Sequence, residues 1–182
     1  MKILGLDPGK VNMGFAIVQD GVFLECGVAK INNKKDLYEE LYTFASALKT
    51  FGPFDCVAIE RQMRANMRVI STHLLHMFQN AQIVSPQTIK RYFNYSGMRS
   101  YKDRKKKGIE IFKNLCRENK QMKLFEQVLR GRNKIDDVAD AALIAFYICS
   151  EDKIKKKKHN GDVTDWLGAN VWLVSPCKLP KD

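Results

Sequence analysis

Only three histidines and five cysteines occur in the 182 residues. Cys26, Cys56, Cys116, Cys149 and Cys177 stand far apart, odd in number and without a Cys-x-x-Cys pair. That spacing excludes a zinc knuckle and a disulfide scaffold, and reads as reduced core thiols in a reducing, intracellular compartment. Long apolar runs are also missing: the longest, Val138–Cys149, is interrupted by Asp140 and is too short to span a bilayer. The N-terminus enters an apolar strand at once, so no basic-then-apolar leader is expected. Negative charge is scarce, with 20 Asp and Glu against 31 Lys and Arg, a net charge of +11. Such an excess calls for a polyanionic partner, and without a span or leader that partner is a nucleic acid and not a membrane.

What is present is a regular alternation of elements. Lys2–Leu6, Gly14–Gln19 and Val22–Lys30 read as strands, the last two joined by the tight turn “QDG”. Leu37, Leu41, Phe44, Ala45 and Leu48 have helical spacing, closed by Gly52 and Pro53. “FDCVAIE” (Phe54–Glu60) and “AQIVSP” are further short strands, with an amphipathic helix “RANMRVISTHLLHMFQN” between them. A short helix “QTIKRYF”, a basic helix “DRKKKGIEIFKNLCRENK” and an almost wholly apolar helix “DDVADAALIAFYICSEDK” follow. These elements predict an α/β fold: a mixed five-stranded sheet with three antiparallel and two parallel strands, flanked by helices. Residues 1–152 read as one domain. Residues 153–182 read as a solvated lysine run and a C-terminal extension packed on the same domain, with Ala169–Ser175 a candidate late strand.

The acids carry the chemistry. Asp7 and Glu60 each end an apolar strand, where active-site residues collect in open α/β sheets. Neighbouring carboxylates would repel and force one to protonate unless a cation lies between them. For Asp7 alone, an ordinary Asp-Pro-Gly turn explains the sequence equally well. In “KIDDVADAAL”, Asp137 and Asp140 are three apart, Asp136 and Asp140 four apart, and either pair shares a helix face. Capping accounts for Asp136 but not for Asp140, a full turn into an apolar segment. Carboxylates without a His or Cys cluster are hard oxygen ligands suited to Mg²⁺, with Mn²⁺ able to substitute. Such ions serve phosphodiester hydrolysis. “RSYKDRKKK” (Arg99–Lys107) holds six cationic residues in nine and offers phosphate contacts, with Tyr101 able to stack. Arg61, Arg64 and Arg68 follow Glu60 and offer further backbone contacts. His73 and His76 lack a third ligand and read as half-buried or interface residues.

Taken in order, “GLDPGKVNMGFAIV”, “VAIERQ”, “SYKDRKKK” and “KIDDVADAA” resemble the motifs of RuvC-type Holliday junction resolvases, in the branch found in large DNA viruses of the pox and iridovirus kind. The resemblance runs from about residue 3 to residue 148 and implies an RNase H-like fold. It further implies a homodimer that binds four-way DNA junctions and nicks them symmetrically with Mg²⁺, without a small-molecule cofactor, at the site of viral DNA replication in the host cytoplasm. Asp7 and Glu60 match the first two acids of the family, and Asp137 with Asp140 its D-x-x-D pair. The family's catalytic lysine corresponds to Lys106 by distance from Asp137, or to Lys102 by distance from Glu60. Asn66–Asn80 corresponds to the helix through which the family dimerises. Rival readings are a hybrid or flap nuclease with the same acids, a non-catalytic nucleic-acid binder, and an actin-like ATPase.

Overall fold

Strand β1 (Lys2–Asp7) is apolar on both faces, which marks it as the middle of a sheet covered on two sides. It pairs antiparallel with β2 (Asn12–Gln19), and β2 pairs antiparallel with β3 (Val22–Lys30). Asp20 and Gly21 both take positive φ, the twist that a two-residue hairpin needs between β2 and β3. Helix α1 (Leu37–Lys49), whose N-cap Asp36 accepts from the Glu39 amide, leads to β4 (Cys56–Glu60), parallel to β1. Helix α2 (Ala65–Met77) then leads to β5 (Ala81–Val84), parallel to β4. The sheet order is β3-β2-β1-β4-β5, the mixed five-stranded arrangement expected from the sequence. Helices α3 (Pro86–Tyr92), α4 (Tyr101–Glu118), α5 (Met122–Arg130) and α6 (Ile135–His159) complete the described elements.

The computed structural model describes residues 1–32, 36–131 and 134–159, with side chains through Glu151. The chain divides into two units, 1–150 and 151–182. The lysine run belongs to the second unit and its backbone is helical, while the candidate strand Ala169–Ser175 lies outside the described residues. No helix among the described residues is long and apolar enough to cross a membrane.

Two cores flank the sheet. On one face Leu4, Leu6, Met13, Ile17 and Ile59 meet Leu41 and Phe44 of α1 and Ile70 and Leu74 of α2. On the other, Ile3, Ala16, Phe23 and Ala58 meet Phe112 of α4, Phe125 of α5, and Val138, Ala142 and Leu143 of α6. Helix α5 is an element that the sequence reading did not anticipate. It is only nine residues long, and it holds its place by packing Phe125 against Phe112, ring centroids 5.6 Å apart. Just before it, Gln121 acts as a substitute strand for the exposed edge of β3. The Phe23 amide donates to Gln121 Oε1 (3.0 Å), and Gln121 Nε2 donates to the Phe23 carbonyl (2.6 Å). That pairing closes part of an edge that would otherwise offer itself to another strand. Helix α2 ends earlier than its apolar spacing predicts: Phe78 is extended, yet buried in the core.

The position of α6 depends on two glycines. A Cβ on Gly5 would run into the carbonyl of Ala141 and the Cβ of Ala145, and one on Gly14 into the backbone of Asp137. Without side chains there, the helix lies directly on β1 and β2. Because Gly14 pairs with Asp7, this seating brings the first turn of α6 level with the end of β1. Gly5→Ala is expected to cost about 1–3 kcal/mol through overpacking, read as a lower urea midpoint at constant m-value. An unchanged midpoint would contradict this seating.

Candidate active site

In the parallel ladder Leu6 faces Ile59, so Asp7 and Glu60 are the next residues at the same end of neighbouring strands. Asp140 joins them from α6, close enough that its charge acts on both carboxyls. Burial raises the pKa of Asp7 well above the usual carboxylate range, and the charges of Glu60 and Asp140 raise it further. Glu60 and Asp140 are raised by burial too, each partly relieved by Lys105. A hydrogen bond between Asp7 and Glu60 favours the proton on Asp7. Asp137 is also raised, by burial and then by Asp136. Charge of one sign has been concentrated here beyond what the local cations neutralise.

Two side chains hold the acids in place. Gln62 Nε2 donates to Glu60 Oε2 (3.1 Å) and, at longer range, to Asp7 Oδ1 (3.5 Å). Lys105 Nζ donates to Asp140 Oδ2 at 2.6 Å and lies 3.4 Å from Asp136 Oδ2. Burial pulls the Lys105 pKa down, but Asp140, Asp7 and Asp136 more than offset it, and the ammonium stays charged. A cleft of about 120 Å³ opens beside Glu60, Asp140 and Lys105, lined also by Lys90, Tyr95, Tyr101 and Arg104. A second, of about 310 Å³, is lined by Asp7, Asp137, Lys10 and Lys134.

The lysine that reaches the acids is Lys105, and not Lys102 or Lys106, the two candidates from the sequence. Both of those are exposed. Distance along the chain from Glu60 or Asp137 is a poor guide, because helix phase decides which lysine faces inward. At about 100° per residue, Lys105 falls on the face of Gly108 and Phe112, three and seven residues on, which are buried against the core. Gln62 was also missed. Its signal is period two: two residues beyond Glu60 in an extended segment, it returns to the same side. Arg61, Arg64 and Arg68 are exposed and His73 is half-buried, with its ring 5.6 Å from that of Tyr38.

Among the described residues no three His, Cys, Asp or Glu side chains are arranged to hold a metal ion. Gln62 and Lys105 instead occupy the lone pairs of the acids. The donor set nevertheless fits a hard divalent cation. Asp7, Glu60, Asp140 and Asp137 supply only carboxylate oxygens, and a cation would relieve the repulsion that raises their pKa values.

A five-stranded mixed sheet with acids at adjoining strand ends and on a helix laid across them is an RNase H-like fold of the RuvC kind. Solved structures agree on that fold. The Thermus thermophilus RuvC structure has a TM-score of 0.56 at 14% identity, covering 83% of this chain and 97% of that one. The fowlpox virus resolvase in complex with substrate Holliday junction DNA has a TM-score of 0.61 at 21% identity, covering 83% and 98%. The yeast mitochondrial Holliday junction resolvase, Ydc2, has a TM-score of 0.63 at 16% identity, covering 87% and 83%. A sequence search of curated proteins returns no match. The chain belongs to the Poxvirus A22 protein family, whose model matches residues 1–152.

A carboxyl with a raised folded-state pKa stabilises the fold below its unfolded pKa, and that contribution is lost as pH rises through the folded value. Asp7→Asn is therefore expected to raise the melting temperature of the metal-free protein at pH 8 and to change it little at pH 4. A lower melting temperature at pH 8 would show that the Asp7 charge is a net stabiliser.

Proposed function

We propose that the chain is a structure-selective endodeoxyribonuclease that resolves four-way DNA junctions by paired, symmetric, Mg²⁺-dependent nicks. The observation that carries this reading is the convergence of Asp7, Glu60 and Asp140, from β1, β4 and α6, beside a cleft lined with cations, in a chain of the Poxvirus A22 protein family. The net charge of +11 supports a phosphate-backbone substrate. The fowlpox resolvase with its Holliday junction DNA is a precedent for such a substrate on this fold.

Asp7, Glu60, Asp137 and Asp140 would hold the divalent cations, Mg²⁺ or Mn²⁺. When bound, such ions supply Lewis acidity toward a phosphodiester oxygen and lower the pKa of water. The rest falls to the chain itself. Its strand ends and α6 fix the carboxylates before substrate arrives, so little reorganisation is needed during reaction. Lys105, on the rim of the same cleft, is placed to move from Asp140 to a non-bridging phosphate oxygen and stabilise charge developing there. Gln62 orients Glu60 and Asp7 relative to one another. A homodimer formed through the outer face of α2, where Val69 is exposed, would relate two such sites by a two-fold axis, matching a substrate with the same symmetry.

The test is cleavage of a synthetic four-way junction with Mg²⁺ beside linear duplex, RNA/DNA hybrid and flap controls. Paired nicks leaving ligatable 5′-phosphate ends are expected in the junction alone. Equal cutting of duplex or hybrid would overturn the junction reading. Asp137→Asn is expected to bind junctions and leave them uncut. Lys105→Ala should lower the cleavage rate by about 10²-fold or more. Lys102→Ala and Lys106→Ala should instead weaken binding, each reducing the salt slope by about 1. Full cleavage by Lys105→Ala would remove that residue from the reaction.

A further inference from the structure

Asp136 stands one helical turn before Asp140, outside the carboxylates assigned above to the cations. The sequence offers it the part of a helix cap. Helix α6, however, begins at Ile135, so Asp136 lies inside the first turn. The amides of Asp137 and Val138 go to the Lys134 carbonyl, at 3.0 and 3.4 Å. The Asp136 side chain faces α4 instead, with its Oδ2 3.4 Å from Lys105 Nζ. Its charge is a burden on the site, because it raises the pKa of both Asp137 and Asp140. Among the described residues, the contact that offsets this repulsion is the one with Lys105.

Lys105 therefore has two anchors, four residues apart on one face of α6. The nearer, Asp140 Oδ2 at 2.6 Å, belongs to the acids at the strand ends, and the farther does not. All three side chains are only 23–31% exposed, so neither pair is a freely solvated one. The other cations of the cleft are placed differently. Arg104 Nη1 donates to the carbonyls of Met98 and Arg99, both at 2.8 Å. Lys90 acts on Glu60 and Asp140 through its field, with no ion pair to either among the described residues. A divalent cation at the strand-end acids would take oxygens of Asp140 and repel an ammonium beside it. Asp136 leaves Lys105 a partner that such a cation does not claim.

We propose that Asp136 is a positioning residue that retains Lys105 beside the acids once Asp140 turns to a cation, so that the ammonium is in place when phosphate arrives. This rests on the nuclease reading above and adds to it a second station for the lysine.

The first test needs no DNA. A lysine ammonium held in an ion pair exchanges its protons slowly enough to be followed by ¹⁵N-correlated NMR, and the Lys105 signal is identified by its absence in Lys105→Arg. At saturating Mg²⁺ the full chain should keep that signal, and Asp136→Asn should lose it. The same behaviour in both proteins, kept or lost, would overturn the proposal. The second test is single-turnover cutting of a four-way junction. Asp136→Asn should lower the rate about tenfold at saturating Mg²⁺, a part of the ~10²-fold expected for Lys105 itself, with junction Kd changed less than about twofold. In the Lys105→Ala background the same substitution should matter less than about twofold. Asp136→Glu should recover most of the rate. A tenfold loss that persists without Lys105 would overturn the proposal, as would a loss that further Mg²⁺ restores, which would make Asp136 a cation ligand. Absence of junction cutting by the wild type would overturn the nuclease reading instead, and the NMR measurement would still decide whether Asp136 holds Lys105.

Discussion

A helix can bring its aspartates to two strand ends only if nothing stands between helix and sheet. Gly5 and Gly14 meet that condition, and α6 rests on β1 and β2 with backbone against backbone. From this contact comes the position of Asp140 over Asp7 and Glu60, and from that position comes the electrostatic state of the site. Three carboxyls share a shielded volume with one engaged ammonium, and each has its pKa raised. The fold supplies the strain-free frame, since the cores on both faces of the sheet hold strands and helix independently of the acids. Burial energy there can support an arrangement of like charges that would not assemble by itself.

Lys105 and Gln62 show how the metal-free protein tolerates those charges. Gln62 donates to Glu60 and Asp7, and Lys105 donates to Asp140 while pairing ionically with Asp136, so both engage oxygens that a cation would otherwise take. On the proposed reading these are placeholders, released as ions and phosphate arrive. That arrangement keeps the acids oriented without a ligand and leaves them poised to exchange one positive partner for another. It also divides labour among the cations of the cleft: Lys105 belongs to the acids, Arg104 to the loop before α4, and Lys90 to neither.

Much of this was legible in the sequence because it depends on short-range patterns. Strands ending on Asp7 and Glu60 follow from apolar runs, and the mixed sheet follows from hairpin-linked strands succeeded by alternating helices. Asp140 stood out as a charge in an apolar helix. What was not legible depends on phase and on tertiary contact. Lys105 is one of four consecutive cations, Arg104–Lys107, and only the burial of Gly108 and Phe112 selects it. Gln62 shares the side of Glu60 by local spacing, but its reach to Asp7 comes from the pairing of β1 with β4. Helix α5 is short and finds its stability in Phe112 and the β3 edge.

On the proposed reading, Asp7, Glu60 and Asp140 together hold a divalent cation. The most direct measurement is anomalous diffraction from crystals of the full chain soaked in Mn²⁺. Mn²⁺ is expected among these three carboxylates, with Lys105 withdrawn from Asp140. Crystals in which Mn²⁺ binds elsewhere, while Lys105 and Gln62 keep their present contacts, would contradict it.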